Sequence, residues 1–306
     1  VSPRKAILRN LGTEQQNLAS SGLDTLSALE IARVINQEDK KVATAVGRAL
    51  PQIALAIDAI AEAIGSGGRL IYAGAGTSGR LAALDAAECP PTFNTDPRTV
   101  QYVIAGGDKA LGHAAEYSED SRSTGQRDMA KHKPGKKDVV VGVAASGRTP
   151  YTIGALEYAR KKGAKTAALI CNRGSVMGAL ADIEIVIDVG PEAVSGSTRM
   201  KAGSAQKMAL NLLTTGAMAR LGYIYGNLMV NVHTTNHKLM ERGLNVLEKS
   251  AGVDRPTASK TLRAAGNQVA IALIMLKTGL GRAQAGKRLK SVKGNVRQAI
   301  AQGRLK

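Results

Sequence analysis

Five short apolar runs, each followed by a turn or a helix-like stretch, constrain the middle of this chain more than any other feature. They are Leu70–Ala73, Tyr102–Ala105, Val139–Val143, Thr166–Ile170 and Ile183–Val189, with helical patterns such as Pro150–Lys162 and Ser175–Ala181 between them. Strands that alternate with helices in this order predict a doubly wound α/β fold, a parallel five-stranded sheet with helices on both faces.

The flanks read as helical. Between Asp24 and Ile64, Leu26, Leu29, Ile31, Val34 and Ile35 recur at helical spacing, Pro51 opens a further helix, and Gly65-Ser-Gly-Gly68 ends the pattern. After Gly190-Pro191 helices are expected over Arg199–Leu221 and Leu228–Lys249. A last segment from Arg255-Pro256 reads as short helices separated by Gly279, Gly286 and Gly294. The expected divisions are an N-terminal helical arm over 1–59, the sheet domain over 60–223, and a C-terminal helical region over 224–306 that includes a small basic domain.

Composition excludes several classes. With 44% hydrophobic residues, 34 glycines and 9 prolines among 306 residues, the chain is globular rather than disordered. No apolar run approaches the roughly 18 residues of a membrane span, so no membrane association is expected. The segment Val1-Ser-Pro-Arg-Lys5 lacks the apolar stretch of a secretory signal. Cys89 and Cys171 have no metal-ligand spacing and read as buried thiols of a reducing, cytoplasmic compartment. The 42 Lys and Arg against 24 Asp and Glu give a net charge of +18, and no acidic residue follows Arg255. The plainer reading of that excess is a solvated basic face. With no Trp and one Phe the chain is poor in base-stacking groups, so nucleic acid is not expected as a partner.

Ligands of such sheets sit beyond the carboxyl ends of the strands. There Gly74, Gly76 and Gly79 show the spacing G-x-G-x-x-G of a dinucleotide fingerprint. That reading needs an acidic residue about 20 positions on. The next strand instead ends in Gly106-Gly107 before Asp108, and Pro90-Pro91 interrupts the path. No dinucleotide cofactor is expected. Three stretches share another vocabulary: Thr77-Ser-Gly-Arg80, Ser146-Gly-Arg-Thr149 and Ser195-Gly-Ser-Thr-Arg199. Hydroxyls, a glycine and an arginine at a helix N-terminus suit a phosphate. A single such cluster is more often an ordinary helix cap. Three at equivalent ends of one sheet favour a phosphate site.

Carboxylates stand beside these loops. Glu88 precedes Cys89-Pro-Pro91, whose prolines are expected to stop the helix and stiffen its exit. Glu116, Glu119 and Asp120 fall in "HAAEYSED", where an exposed acidic helix end is the plainer reading for any single one. His113 is an outside candidate. Two carboxylates in unlike environments can serve as acid and base.

The stretches "GAGTSGRLAALDAAECPPTF", "IAGG", "HAAEYSED", "DVVVGVAASGRTPYTIGALEYAR", "GSTRMKAGSAQKMALNLLTTGAM" and "YGNLMVNVHTTNHKL" resemble, in order from about Leu23 onward, the N-acetylmuramic acid 6-phosphate etherases. The resemblance implies the sugar isomerase (SIS) fold and a lyase that needs no cofactor or metal. Such a lyase releases D-lactate from N-acetylmuramic acid 6-phosphate and leaves N-acetylglucosamine 6-phosphate, in cell-wall sugar recycling. It implies a homodimer, with a small sugar phosphate as the ligand. It puts the family's acid at Glu88 in "ECPPT" and its second glutamate at Glu119. Thr77, Ser78, Ser146 and Thr149, with Ser197 in the third loop, fall at phosphate- or sugar-binding positions. The chain departs from the family pattern at Asn94, where glycine is common, and at Arg173, Ser195 and Asn231.

The chemistry follows from the substrate. Ring opening gives an aldehyde that acidifies the proton on carbon 2. Glu119 is expected to take that proton, Glu88 to protonate the departing lactate oxygen, and water to add at carbon 3. The rival is a sugar-phosphate sensor of the same fold, such as a regulatory protein, which would have no need of both glutamates. An aldose–ketose isomerase would release no lactate.

Overall fold

The computed structural model describes residues 11–113, 116–231 and 237–302, without the side chain of Glu116. Two compact units result. The first takes the chain up to Ala86 together with Arg98–Thr214; the second takes Ala87–Pro97 and the chain from Thr215.

In the first unit, β1 (Leu70–Gly74), β2 (Val100–Ile104), β3 (Val139–Ala144), β4 (Lys165–Ile170) and β5 (Ile183–Val186) form one sheet in the order β2-β1-β3-β4-β5. Every pair is parallel. β1 and β3 are buried along their whole length, as strands covered by helices on both faces must be. The strand order reverses between β1 and β3, which opens a crevice at their carboxyl ends.

The helices of this unit begin with α1 (Ala28–Arg48) and α2 (Leu50–Gly65). Ser27 and Glu30 cap α1 reciprocally, the pattern expected of S-x-x-E. α3 (Gly76–Phe93) follows β1, α4 (Arg122–Lys131) precedes β3, α5 (Pro150–Lys161) follows β3, α6 (Val176–Leu180) follows β4, and α7 (Lys201–Leu221) follows β5. Ile71, Val140, Leu156, Ile170 and Met177 belong to one core cluster on the sheet.

The amino-terminal segment is tied to this unit. Asn172 donates to Thr13 Oγ1 (3.1 Å), Asn17 to the Pro191 carbonyl (3.2 Å) and Ser20 to the Ala193 carbonyl (2.7 Å). At the start of α7, the buried Lys201 donates to the buried Glu38 of α1 at 2.6 Å. Burial alone would raise the Glu38 carboxyl, but Lys201 and then Lys41 hold it down at about 2. Removing one member of such a pair typically costs about 3–5 kcal/mol.

In the second unit, β6 (Ile224–Tyr225) and β7 (Leu228–Met229) form a small antiparallel hairpin, followed by α8 (His237–Ala251), α9 (Arg255–Ala264), α10 (Val269–Thr278), α11 (Arg282–Ser291) and α12 (Val296–Ala301). α10 is apolar nearly all round and forms the centre of the core with Leu247, Leu262, Val296 and Ile300. Asp254 caps α9, and Gly279, left-handed at φ +73°, ends α10. Lys260, Arg263, Lys287, Lys290 and Arg297 are exposed on this unit.

Two expectations need correction. The helix expected over Leu228–Lys249 does not start at Leu228, because Gly226-Asn227 closes a two-residue hairpin loop with Gly226 at φ +62° and Leu228 pairs in β7; α8 is described over His237–Ala251. The prolines after Cys89 do not stop their helix either: Pro90 and Pro91 lie inside α3, which runs to Phe93. Each lacks the N–H of one ladder bond, so the helix gives up its bonds to the carbonyls of Ala86 and Ala87 just before it ends. Asn94 then donates to the Pro90 carbonyl at 2.8 Å and ends the helix in the left-handed region, at φ +56°.

Candidate functional site

The first two hydroxyl loops flank the crevice where the strand order reverses. Thr77 and Ser78 lie in the first turn of α3, after β1; Ser146 and Thr149 lie between β3 and α5. The three glycines of the first loop have packing roles. A side chain on Gly74 would stand 2.9 Å from the Gly79 nitrogen, and one on Gly79 would stand 2.7 Å from Ile104. Strand and helix therefore meet backbone to backbone. The first helical bond of α3 runs from Gly79 N–H to the Ala75 carbonyl (3.0 Å). The N–H groups of Gly76, Thr77 and Ser78 stand ahead of the helical ladder, as an anion site requires.

Glu119 is brought to the same place. A Cβ on Gly76 would lie 2.9 Å from Glu119 Oε1, so the carboxylate rests against the start of α3. Its backbone carbonyl accepts from the Tyr151 N–H at 3.0 Å, in the first turn of α5. One short segment thus joins both loops. Arg80 braces it: Nε donates to the Ala110 carbonyl (2.9 Å) and a terminal nitrogen to that of His113 (2.8 Å). Arg148 is different, because its Nε is buried with no hydrogen-bond partner.

The hydroxyls divide by environment. Ser146 is half-buried and accepts from the Arg148 N–H at 3.2 Å. Thr149 occupies the N-cap of α5 without a side-chain capping bond. Ser78 is buried and donates to Gln206 Oε1 of α7 at 2.9 Å. The Thr77 methyl packs 3.5 Å from where a side chain on Gly203 would begin.

The third loop is built differently. Glu192, fully buried, accepts from the N–H groups of Lys201 and Ala202, both at 2.9 Å, and so occupies the start of α7. Burial raises the Glu192 carboxyl despite those two bonds. Ser195 donates to the Gln15 carbonyl (3.0 Å). Ser197 is half-buried.

Glu88 is exposed on α3 and belongs to the second unit. His113 and Asp120 are exposed. The Glu116 side chain and the "HTTN" part of the last family motif lie outside the described residues.

A buried network escaped the sequence reading. Asp85 of α3 accepts from the Tyr72 hydroxyl of β1 (2.9 Å) and from Thr214 of α7 (3.1 Å). Its burial pushes the carboxyl up to about 6, against both hydrogen bonds. With Ser78–Gln206, it gives α3 and α7 two buried polar clamps, at positions 78 and 85 on one helix and 206 and 214 on the other. The only sequence trace is a lone Asp in an alanine-rich helix.

A cavity of about 420 Å³ beside β2 is a poorer anion site. Its polar groups answer one another: Tyr102 donates to Asp108 (3.0 Å), Tyr151 to Asp128 (3.2 Å), and Lys131 pairs with Asp128 (2.8 Å). Among the described residues no group of three or more His, Cys, Asp or Glu is placed to hold a metal ion.

Fold and loops together define a SIS-type protein. Residues 111–216 match the SIS domain and residues 52–160 the glucokinase regulatory protein N-terminal SIS domain. A phosphoheptose isomerase from Francisella tularensis shares the fold, with a TM-score of 0.50 and 18% identity over 63% of this chain and 100% of that one. The chain is 51% identical over 297 residues to N-acetylmuramic acid 6-phosphate etherase of Aliivibrio fischeri, covering 97% of this chain and 99% of that protein. It is 50% identical over 298 residues to N-acetylmuramic acid 6-phosphate etherase 1 of Vibrio cholerae, with the same coverage of each. The chain belongs to the N-acetylmuramic acid 6-phosphate etherase family.

Proposed function

We propose that this chain cleaves the D-lactyl ether of N-acetylmuramic acid 6-phosphate to N-acetylglucosamine 6-phosphate and D-lactate. The observation that carries the reading is the Glu119 carboxylate resting against the first turn of α3, between two hydroxyl-bearing loops. A phosphate held there by Thr77, Ser78, Ser146 and Thr149, with Ser197 from the third loop, would bring the sugar to a carboxylate.

Glu119 takes the proton from carbon 2 of the ring-opened sugar. Glu88 protonates the lactate oxygen as it leaves, and water adds to the unsaturated aldehyde at carbon 3. Elimination and addition transfer no net electrons, so the reaction calls for no redox cofactor. The same reading takes the protein as a cytoplasmic homodimer, in keeping with two buried free thiols.

The rival reading is a sensor that binds the sugar phosphate without reaction; relatives at 50–51% identity over 97% of the chain favour the etherase. Incubation of the purified protein with N-acetylmuramic acid 6-phosphate and assay of D-lactate separates the two. Stoichiometric lactate is expected from the etherase; tight binding without lactate supports the sensor.

A further inference from the structure

We propose that Gln206 is a positioning residue that sets the direction of the Ser78 hydroxyl and turns it toward the phosphoryl group of the substrate. The inference rests on the reading of the first loop as a phosphate site. Gln206 is 1% exposed, and its Oε1 accepts from Ser78 at 2.9 Å. The Nε2 of the same amide is buried and has no hydrogen-bond partner. A buried donor without an acceptor is a standing penalty, and a native site that keeps one calls for an explanation.

A half-turn of the amide supplies one. The two ends of a glutamine amide have nearly the same shape. With Nε2 toward Ser78, the amide donates to Oγ and the hydroxyl hydrogen is released. That hydrogen lies in the first turn of α3, where the N–H groups of Gly76, Thr77 and Ser78 favour an anion. When a phosphoryl oxygen accepts it, both donors are satisfied, the bond to phosphate is charge-assisted, and the group left unpaired is the amide carbonyl, which buried sites tolerate better than an unpaired N–H. The observed arrangement, with the hydroxyl donating to Oε1, is the other setting of the same pair.

The test compares wild type, Ser78→Ala, Gln206→Glu and the double variant. Calorimetry gives the affinity for inorganic phosphate, and turnover of N-acetylmuramic acid 6-phosphate gives KM and kcat. An ionised glutamate can only accept, so it holds the hydroxyl away from the ligand. Gln206→Glu should weaken phosphate binding and raise KM about tenfold, the weight of one charge-assisted hydrogen bond, with kcat within about threefold. Ser78→Ala should do the same, and the double variant no more than Ser78→Ala alone.

Unchanged phosphate binding in Gln206→Glu, additive losses in the double variant, a loss confined to kcat, or a wild type that binds no phosphate overturns the proposal. If Gln206→Glu fails to fold, Gln206→Met replaces it; its smaller rise in KM should vanish in the Ser78→Ala background, and persistence there overturns the proposal. A wild type that binds phosphate but releases no lactate refutes the etherase reading, while calorimetry still decides the role of Gln206.

Discussion

Glu119 and Gly76 are fitted to each other: a side chain on Gly76 would begin 2.9 Å from Glu119 Oε1, and Gly76 holds a φ of +51°. The glycine is needed twice, for its backbone and for the room it leaves the carboxylate. Gly76→Ala should push Glu119 aside and lower kcat about 100-fold, the scale of a misplacement of roughly 1 Å at a reacting centre. Steady-state lactate release, with circular dichroism as a check on folding, measures this. Wild-type turnover in a folded variant would remove Glu119 from its place beside the loop.

The second prediction concerns the phosphate. Ser146 and Thr149 flank Gly147-Arg148 between β3 and α5, and Thr149 is not used to cap its helix. Changing both to alanine should raise KM for the phosphorylated sugar by about two to four orders of magnitude, at roughly 1.5–3 kcal/mol for each hydrogen bond to a charged group. Unphosphorylated N-acetylmuramic acid should be a very poor substrate for the wild type. Equal turnover of the two sugars would show that these loops do not hold phosphate.

A third prediction follows from Asp85. Its folded-state value of about 6 lies above the ordinary 3.8, so the folded protein holds the proton more tightly than the unfolded chain. Its contribution to stability is therefore greatest below about pH 4. It declines as pH rises to about 6, by about 3 kcal/mol in all. Asp85→Asn removes the titration. Urea unfolding at pH 4 and pH 7 should show the variant gaining on wild type by about 2–3 kcal/mol across that interval. A difference between the two proteins that does not change with pH would contradict the assignment.

The sheet was legible because its strands are separate apolar runs, and the observed β1, β3 and β4 differ from the expected bounds by a residue at most. The loops were legible because hydroxyls and glycines recur after strands. What escaped depends on tertiary contacts or on chain context. Nothing local says that Glu192 occupies the start of α7, or that Ser78 faces Gln206. Pro90 and Pro91 suggest a helix stop, yet α3 runs on to Phe93 and gives up only the two bonds whose N–H the prolines lack. Gly226-Asn227 closes a hairpin although the apolar spacing beyond it also suits a helix.

Solvent deuterium at carbon 2 tests the central claim most directly. With N-acetylmuramic acid 6-phosphate in heavy water, the wild type should release D-lactate and place deuterium on carbon 2 of the amino sugar. Glu119→Gln should abolish both. Glu88→Gln should block lactate release while carbon 2 still exchanges, because proton removal precedes departure of the leaving group and needs only the base. Lactate released with the original hydrogen retained at carbon 2, or full activity in both variants, would contradict elimination by this pair of glutamates.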